Sequence, residues 1–318
     1  MAAVEPRFRL PDAARVGQQT MADGALIRTL LLPHPRPVAN LLLLTGRADF
    51  LEKWADSFRE LHEAGFAIAS FDWRGQGGSA RQLASRAGHI DSFDSWLADL
   101  DQLSCWAEAA LPGRRWLLLG HSMGGHLLTR WVADPKRRSL PLRRAVAGMV
   151  LSSPFFGLAG PAPLQKLLLR LAAAEVARGR AADFAWGQGP YGARDRQRSR
   201  QLLLTSSRAR FEDEGLWLQA HPELATGGVT WGWLQAFAAS EAALEALPLE
   251  ALDLPVLLLS GDQEHVVDSR ASLRLAARLA DVRQLLIAGA AHELLRERGP
   301  ARRAALARIV AFARKVAR

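Results

Sequence analysis

The chain has 318 residues, 49% of them hydrophobic, enough to bury one large core or a core with a smaller domain, which excludes a disordered protein. Its single cysteine, Cys105, excludes an internal disulfide and a cysteine-rich metal site, and fits a reducing compartment. The net charge of +9 fits an ordinary basic surface or an anionic membrane partner; the arginines read as scattered, densest at 136–138 and 302–318, and no nucleic-acid motif accompanies them.

The first nine residues, MAAVEPRFR, lack the continuous apolar run of a signal peptide, and no apolar run reaches the ~18 residues of a membrane span. A cytoplasmic protein is expected, with peripheral contact at the inner face of the membrane as its surface association. Residues 25–32 and 38–44 read as strands separated by Pro33, Pro35 and Pro37, the second almost unbroken in apolar character. It ends at Thr45-Gly46-Arg47-Ala48. A helix follows, with Trp54, Phe58, Leu61 and Ala64 on one face and Gly65 as its stop. Residues 66–71 (FAIASF) form another short strand, which leads into DWRGQGGS at 72–79. A helix over 93–110 precedes a strand that opens Trp116-Leu117-Leu118-Leu119. At Leu127, Leu128, Trp131 and Val132 the apolar spacing becomes helical, and a further strand covers 145–151. This alternation predicts an α/β fold: a mainly parallel central sheet flanked by helices, with ligand sites beyond the carboxyl ends of its strands.

After Pro154 the alternation stops until about residue 250. Residues 164–178 form an amphipathic helix, 187–192 and the charged run 194–200 read as loops, and Trp217, Trp231, Trp233 and Phe237 give the later part an aromatic bias. The segment leaves just past one strand end and returns before the next strand. It is therefore expected to be a helical cap over residues 154–250, between core parts 1–153 and 251–318; the alternative is a separate helical domain with its own core. The sheet pattern resumes at 254–260, followed by a helix over 269–279, a strand over 283–288 and a final amphipathic helix over 301–316.

Gly120-His121-Ser122-Met123-Gly124 is a G-x-S-x-G at the switch from strand to helix. The pentapeptide alone would arise in roughly one of ten shuffled sequences of this glycine content, so the flanking strand and helix carry the weight. A serine on such a turn projects its hydroxyl above the sheet, and its neighbours two positions away must be nearly devoid of side chain. The hydroxyl needs an imidazole to take its proton, and the imidazole needs a carboxylate to fix its tautomer. His292, in Gly289-Ala290-Ala291-His292-Glu293, follows the last strand and is placed to reach Ser122; a capping or core histidine is the alternative. His121 and His126 are fixed by the turn, with His121 directed away from the hydroxyl. The acid comes from the loop after Ser260, where spacing leaves Asp262 and Glu264 open and Asp268 reads as a helix cap. The oxyanion donors are expected to be the backbone N–H groups of Met123 and Arg47. The Arg47 side chain is placed either to meet an anionic head group or to form a surface salt bridge.

Together these segments resemble an α/β-hydrolase of the monoacylglycerol lipase and bacterial lysophospholipase group over most of the chain. The resemblance lies in Thr45-Gly46-Arg47, the 72–79 stretch, Gly120 to Gly125, residues 261–268 and 289–293. It implies that the acid is Glu264, two places before Val266-Val267-Asp268, as in the lysophospholipases of the group, where the lipases have Asp. The sequence departs from the lipases at the oxyanion loop, which begins Thr45-Gly46 where theirs begins His-Gly.

The expected activity is a serine hydrolase that cleaves the ester of a single-acyl-chain lipid, a lysophospholipid or monoacylglycerol, with no cofactor and no metal. The Leu, Phe and Trp content of the cap supports an apolar channel. The alternatives are a short-chain carboxylesterase, a thioesterase or a proline-type peptidase on the same scaffold, or a non-catalytic binding protein.

Overall fold

The structure is a computed structural model and describes residues 6–317. Residues 1–5, on which the signal-peptide reading partly rests, and Arg318 lie outside the described residues. The elements follow the chain as β1 (Arg15–Thr20), β2 (Leu26–Leu32), β3 (Ala39–Leu44), α1 (Ala55–Glu63), β4 (Phe66–Phe71), α2 (Phe93–Ala110), β5 (Trp116–His121), α3 (Met123–Ala133), α4 (Pro141–Ala145) and β6 (Val146–Ser152). Then come α5 (Ala162–Ala177), α6 (Arg198–Leu204), α7 (Arg208–Ala220), α8 (Trp231–Glu245), β7 (Val256–Gly261), α9 (Ser269–Ala276), β8 (Val282–Ile287) and α10 (Gly299–Val316).

One sheet runs in the order β1-β2-β4-β3-β5-β6-β7-β8. β2 is antiparallel to β1 and β4, and every pairing from β4 to β8 is parallel. Every residue of β3, β4, β5 and β6 is buried, as strands covered on both faces must be. Because side chains alternate across a strand, Leu42, Leu44 and Leu118 join one core with α2, α3 and α8. Leu41, Leu43, Leu117 and Leu119 point the other way into a second core with α1 and α10. From β3 the chain first builds outward to β4, then crosses back to place β5 on the other side of β3. That reversal opens a crevice beyond the carboxyl ends of β3 and β5, where ligands bind in open parallel sheets.

Two sequence expectations change. β1 was not foreseen, because RVGQQT has no apolar alternation; it is an edge strand that is mostly exposed. The run 194–200, expected to be loop, holds a 3-10 turn at Ala193–Arg196 and the start of α6. Its arginines conceal the helical period that Leu204 and Gln201 reveal by being buried. Within 154–250, α8 contributes Trp231, Trp233, Leu234 and Phe237 to the same core as α2 and α3. α7 rests Leu218 on Phe50, in the segment after β3.

Candidate active site

Ser122 lies between β5 and α3 with φ 50° and ψ −117°, a left-handed backbone that a serine adopts only under constraint. The constraint is visible in its own hydrogen bonds. Its N–H donates to Ser152 O at 3.1 Å, and its carbonyl accepts from Phe155 N at 3.0 Å and Gly125 N at 2.9 Å. The flanking glycines follow from space. A Cβ on Gly120 would sit 2.7 Å from Gly125 Cα, and one on Gly124 would sit 2.5 Å from the carbonyl oxygens of Leu44 and Thr45.

His292 Nε2 lies 3.0 Å from Ser122 Oγ, and its Nδ1 lies 2.7 Å from Glu264 Oε2. Since the carboxylate can only accept, Nδ1 carries the proton and Nε2 is free to accept from the serine hydroxyl. All three side chains are buried or nearly so. Burial pushes the Glu264 carboxyl up, but the His292 hydrogen bond and charge, with the amides of Val266 and Val267, hold it below the usual glutamate range. Asp262 is placed differently: it is exposed and accepts from Gly289 N at 2.9 Å, tying the loops after β7 and β8 together. Asp268 caps α9, accepting from Arg270 N at 2.9 Å. His121 turns its Nδ1 to Ser152 O at 3.2 Å, away from the Ser122 hydroxyl, and burial lowers its pKa to about 4.

Met123 is the first residue of α3, so its N–H is one of the amides that a helix start leaves unpaired. The loop after β3 comes up beside it, and a Cβ on Gly46 would sit 3.2 Å from Ser122 Cβ. The Gly46 N–H donates to Asp49 Oδ2 at 2.7 Å. The 72–79 stretch braces the same loop: Trp73 Nε1 donates to Thr45 O at 2.9 Å, and Gln76 Oε1 accepts from Ala48 N.

Beneath this loop is a charge cluster that sequence reasoning missed. Lys53 Nζ lies 2.7 Å from both Asp49 and Glu293 and 3.3 Å from Glu214 of α7. Arg296 closes the cluster on Glu214 at 2.6 Å and Glu293 at 3.1 Å. Burial disfavours the Lys53 charge, but the three carboxylates outweigh it and hold its pKa above the ordinary lysine range. The cluster therefore joins the oxyanion loop, the loop that carries His292 and a helix of the inserted segment. The sequence signals for it were the i,i+4 spacing of Asp49 and Lys53 beside that loop and the i,i+3 spacing of Glu293 and Arg296.

Ser122, Met123, Arg47 and His292 line one cavity of about 1020 Å³, at the upper end of the ~300–1,000 Å³ typical of small-molecule sites. Phe155, Leu158, Trp233, Leu234 and Val267 form an apolar wall. Arg47 enters the cavity rather than forming the surface salt bridge that was one expectation for it. Its guanidinium is half-buried and donates to Gly227 O at 3.1 Å.

The strand order and the strained turn at Ser122 are those of an α/β-hydrolase. A monoglyceride lipase of Saccharomyces cerevisiae superposes with a TM-score of 0.74 over 97% of each chain at 18% identity, a likeness of fold. The chain belongs to the hydrolase family described as serine aminopeptidase, S33, whose model matches residues 35–299. Among its relatives, lysophospholipase L2 of Escherichia coli is 32% identical over 88% of this chain and 80% of its own length. The probable lysophospholipase L2 of Haemophilus influenzae is 26% identical over 87% of this chain and 84% of its own.

Proposed function

We propose that the protein is a carboxylic ester hydrolase acting on single-acyl lipids, a lysophospholipid or monoacylglycerol. Ser122 Oγ attacks the ester carbonyl while His292 Nε2 takes its proton. Glu264 holds Nδ1–H and stabilises the imidazolium that forms. The Met123 and Arg47 amides donate hydrogen bonds to the developing oxyanion. His292 then returns the proton to the leaving glycerol oxygen, and water, activated by the same imidazole, releases the fatty acid from Ser122. The carrying observation is the unbroken line Glu264–His292–Ser122 at the floor of a cavity with an apolar wall. The likeness to the two lysophospholipases supports the substrate class.

In this reading residues 154–250 act as a cap, whose α8 supplies Trp233 and Leu234 to the acyl channel. The same segment supports contact with an anionic membrane. It carries exposed Leu164, Leu167, Trp186, Leu202, Leu203 and Leu216. Among the described residues no helix is long and apolar enough to cross a bilayer.

Turnover of a monoacylglycerol, a lysophospholipid and a p-nitrophenyl ester by wild type and Ser122→Ala tests the assignment. The variant is expected to lose essentially all ester hydrolysis and all labelling by a fluorophosphonate. Undiminished turnover would refute the nucleophile, and cleavage of an aminoacyl amide in preference to the lipids would favour a peptidase.

A further inference from the structure

The cavity has a second set of lining residues whose chemistry is opposite to that of the apolar ones. It comprises Arg47 and, from the inserted segment, Arg194, Arg196 and Arg200. Among the described residues none of these four guanidiniums is in an ion pair, and Asp195 is the only lining carboxylate outside one. The other lining carboxylates are already engaged: Asp49, Glu214 and Glu293 on Lys53, and Glu212 on Arg208. A cavity lined by four guanidiniums outside ion pairs and one such carboxylate is short of negative charge, and guanidiniums bind phosphate through paired N–H donors.

Two of the four are brought into each other's field. Arg47 follows Gly46, which abuts Ser122, and Arg200 sits half-buried on α6. Burial and the Arg200 charge lower the Arg47 pKa to about 10, with Asp195 and Asp49 acting in the other direction. Arg47 is therefore still charged at neutral pH, and it lines the same cavity as Arg200, with Asp195 as the one lining carboxylate outside an ion pair.

We propose that Arg47 and Arg200 form a subsite for the phosphate of a lipid head group, selecting lysophospholipid over monoacylglycerol. This rests on the reading of the cavity as a lipid-ester site. The acyl chain lies along Phe155 and Trp233, the ester carbonyl sits at Ser122, and the glycerol carries its phosphate toward the two arginines. The same cations repel the α-ammonium of an aminoacyl substrate, so the subsite also disfavours the peptidase alternative.

Binding to Ser122→Ala protein, which does not consume the ligand, tests the subsite without reference to turnover. The probes are 1-acyl-glycerol 3-phosphate and the monoacylglycerol of the same chain, both below their micellar concentrations, followed by calorimetry. The phosphate-bearing lipid is expected to bind at least tenfold more tightly. Adding Arg200→Gln should erase most of that preference, and Arg200→Lys should retain part of it by keeping the charge. Equal affinity for the two lipids in the parent, or an unchanged preference in the Arg200→Gln protein, overturns the proposal. Glycerol 3-phosphate is expected to compete only weakly; competition as strong as that of the lipid would mean the arginines read free phosphate, and the head-group assignment falls. Wild-type turnover of both lipids is measured alongside. A protein that binds the phosphate lipid through Arg200 yet cleaves neither ester refutes the hydrolase reading and leaves the subsite standing.

Discussion

At Glu264 one carboxylate serves three donors: Oε1 takes the amides of Val266 at 2.7 Å and Val267 at 3.3 Å, while Oε2 faces His292. The amides fix the carboxylate plane, so His292 meets an acceptor that does not rotate away. Replacing it by the neutral isostere, Glu264→Gln, removes the charge that stabilises the imidazolium and admits the wrong tautomer. We expect kcat on a p-nitrophenyl ester to fall about 10²–10⁴-fold, against less than about threefold for Asp262→Asn, which loses one exposed charge but keeps an oxygen to accept from Gly289 N. A greater loss from Asp262→Asn would reverse the assignment of the acid. Spacing left these two residues equivalent because both lie in one short loop after a strand. They differ only once that loop is folded, with Asp262 turned outward to Gly289 and Glu264 turned inward. Ser122 and His292 stood out earlier because a glycine-flanked turn and a strand end are local features of the chain. The Lys53 cluster did not, since its two local pairs, Asp49–Lys53 and Glu293–Arg296, lie far apart in the chain and meet each other and Glu214 only through the fold.

Between elements, the contact of α3 with α8 depends on a buried histidine. His126 hydrogen-bonds Phe155 O through Nδ1 at 3.1 Å and Ser240 Oγ of α8 through Nε2 at 2.6 Å, and Arg130 donates to the same Oγ at 2.9 Å. Buried beside the Arg130 charge the ring is neutral, so with Nδ1 donating to a carbonyl, Nε2 accepts from the Ser240 hydroxyl. Burial, with the Arg130 charge second, lowers its pKa to about 3. The unfolded chain has the ordinary value near 6.5, so below that pH it binds a proton that the folded state refuses. The stability this contributes is complete above about pH 6.5 and is lost as pH falls toward 3, at about 1.4 kcal/mol per pH unit. His126→Gln keeps a donor and an acceptor without titrating. Urea unfolding at pH 6 and pH 5 should therefore show a slope shallower in the variant by about that amount. Equal slopes would show that His126 protonates freely in the folded protein. Elements of this core were legible because a strand buried on both faces is an unbroken apolar run and a helix with one buried face keeps a period of 3.6. These signals failed at β1 and α6, where polar and arginine-rich sequence leaves no such run or period to read.

Over the whole molecule, charge and exposed apolar surface are concentrated together. Residues 162–210 hold Lys166 and nine arginines against Glu175, Asp183 and Asp195, a net of +7 within a chain whose total is +9. The arginines are thus less scattered than the densest short runs imply. Leu164, Leu167, Trp186 and Leu202 in this stretch are each more than half exposed. A basic segment presenting such side chains above a lipid-sized cavity is suited to an anionic bilayer, with the arginines drawn to the head groups and the leucines and tryptophan entering the acyl boundary. The two contributions separate by salt, because the Debye length falls from about 10 Å at 0.1 M to about 3 Å at 1 M while apolar insertion persists. Burying two leucines is worth about 3–4 kcal/mol. Leu164→Asp with Leu167→Asp should therefore reduce co-flotation with phosphatidylglycerol vesicles by at least tenfold at low salt. Raising salt on the wild type should weaken binding while leaving a residue that the double variant lacks. Equal recovery of the two proteins at both salt concentrations would show that this face does not meet the membrane, and Arg200 of α6 would then serve the cavity alone.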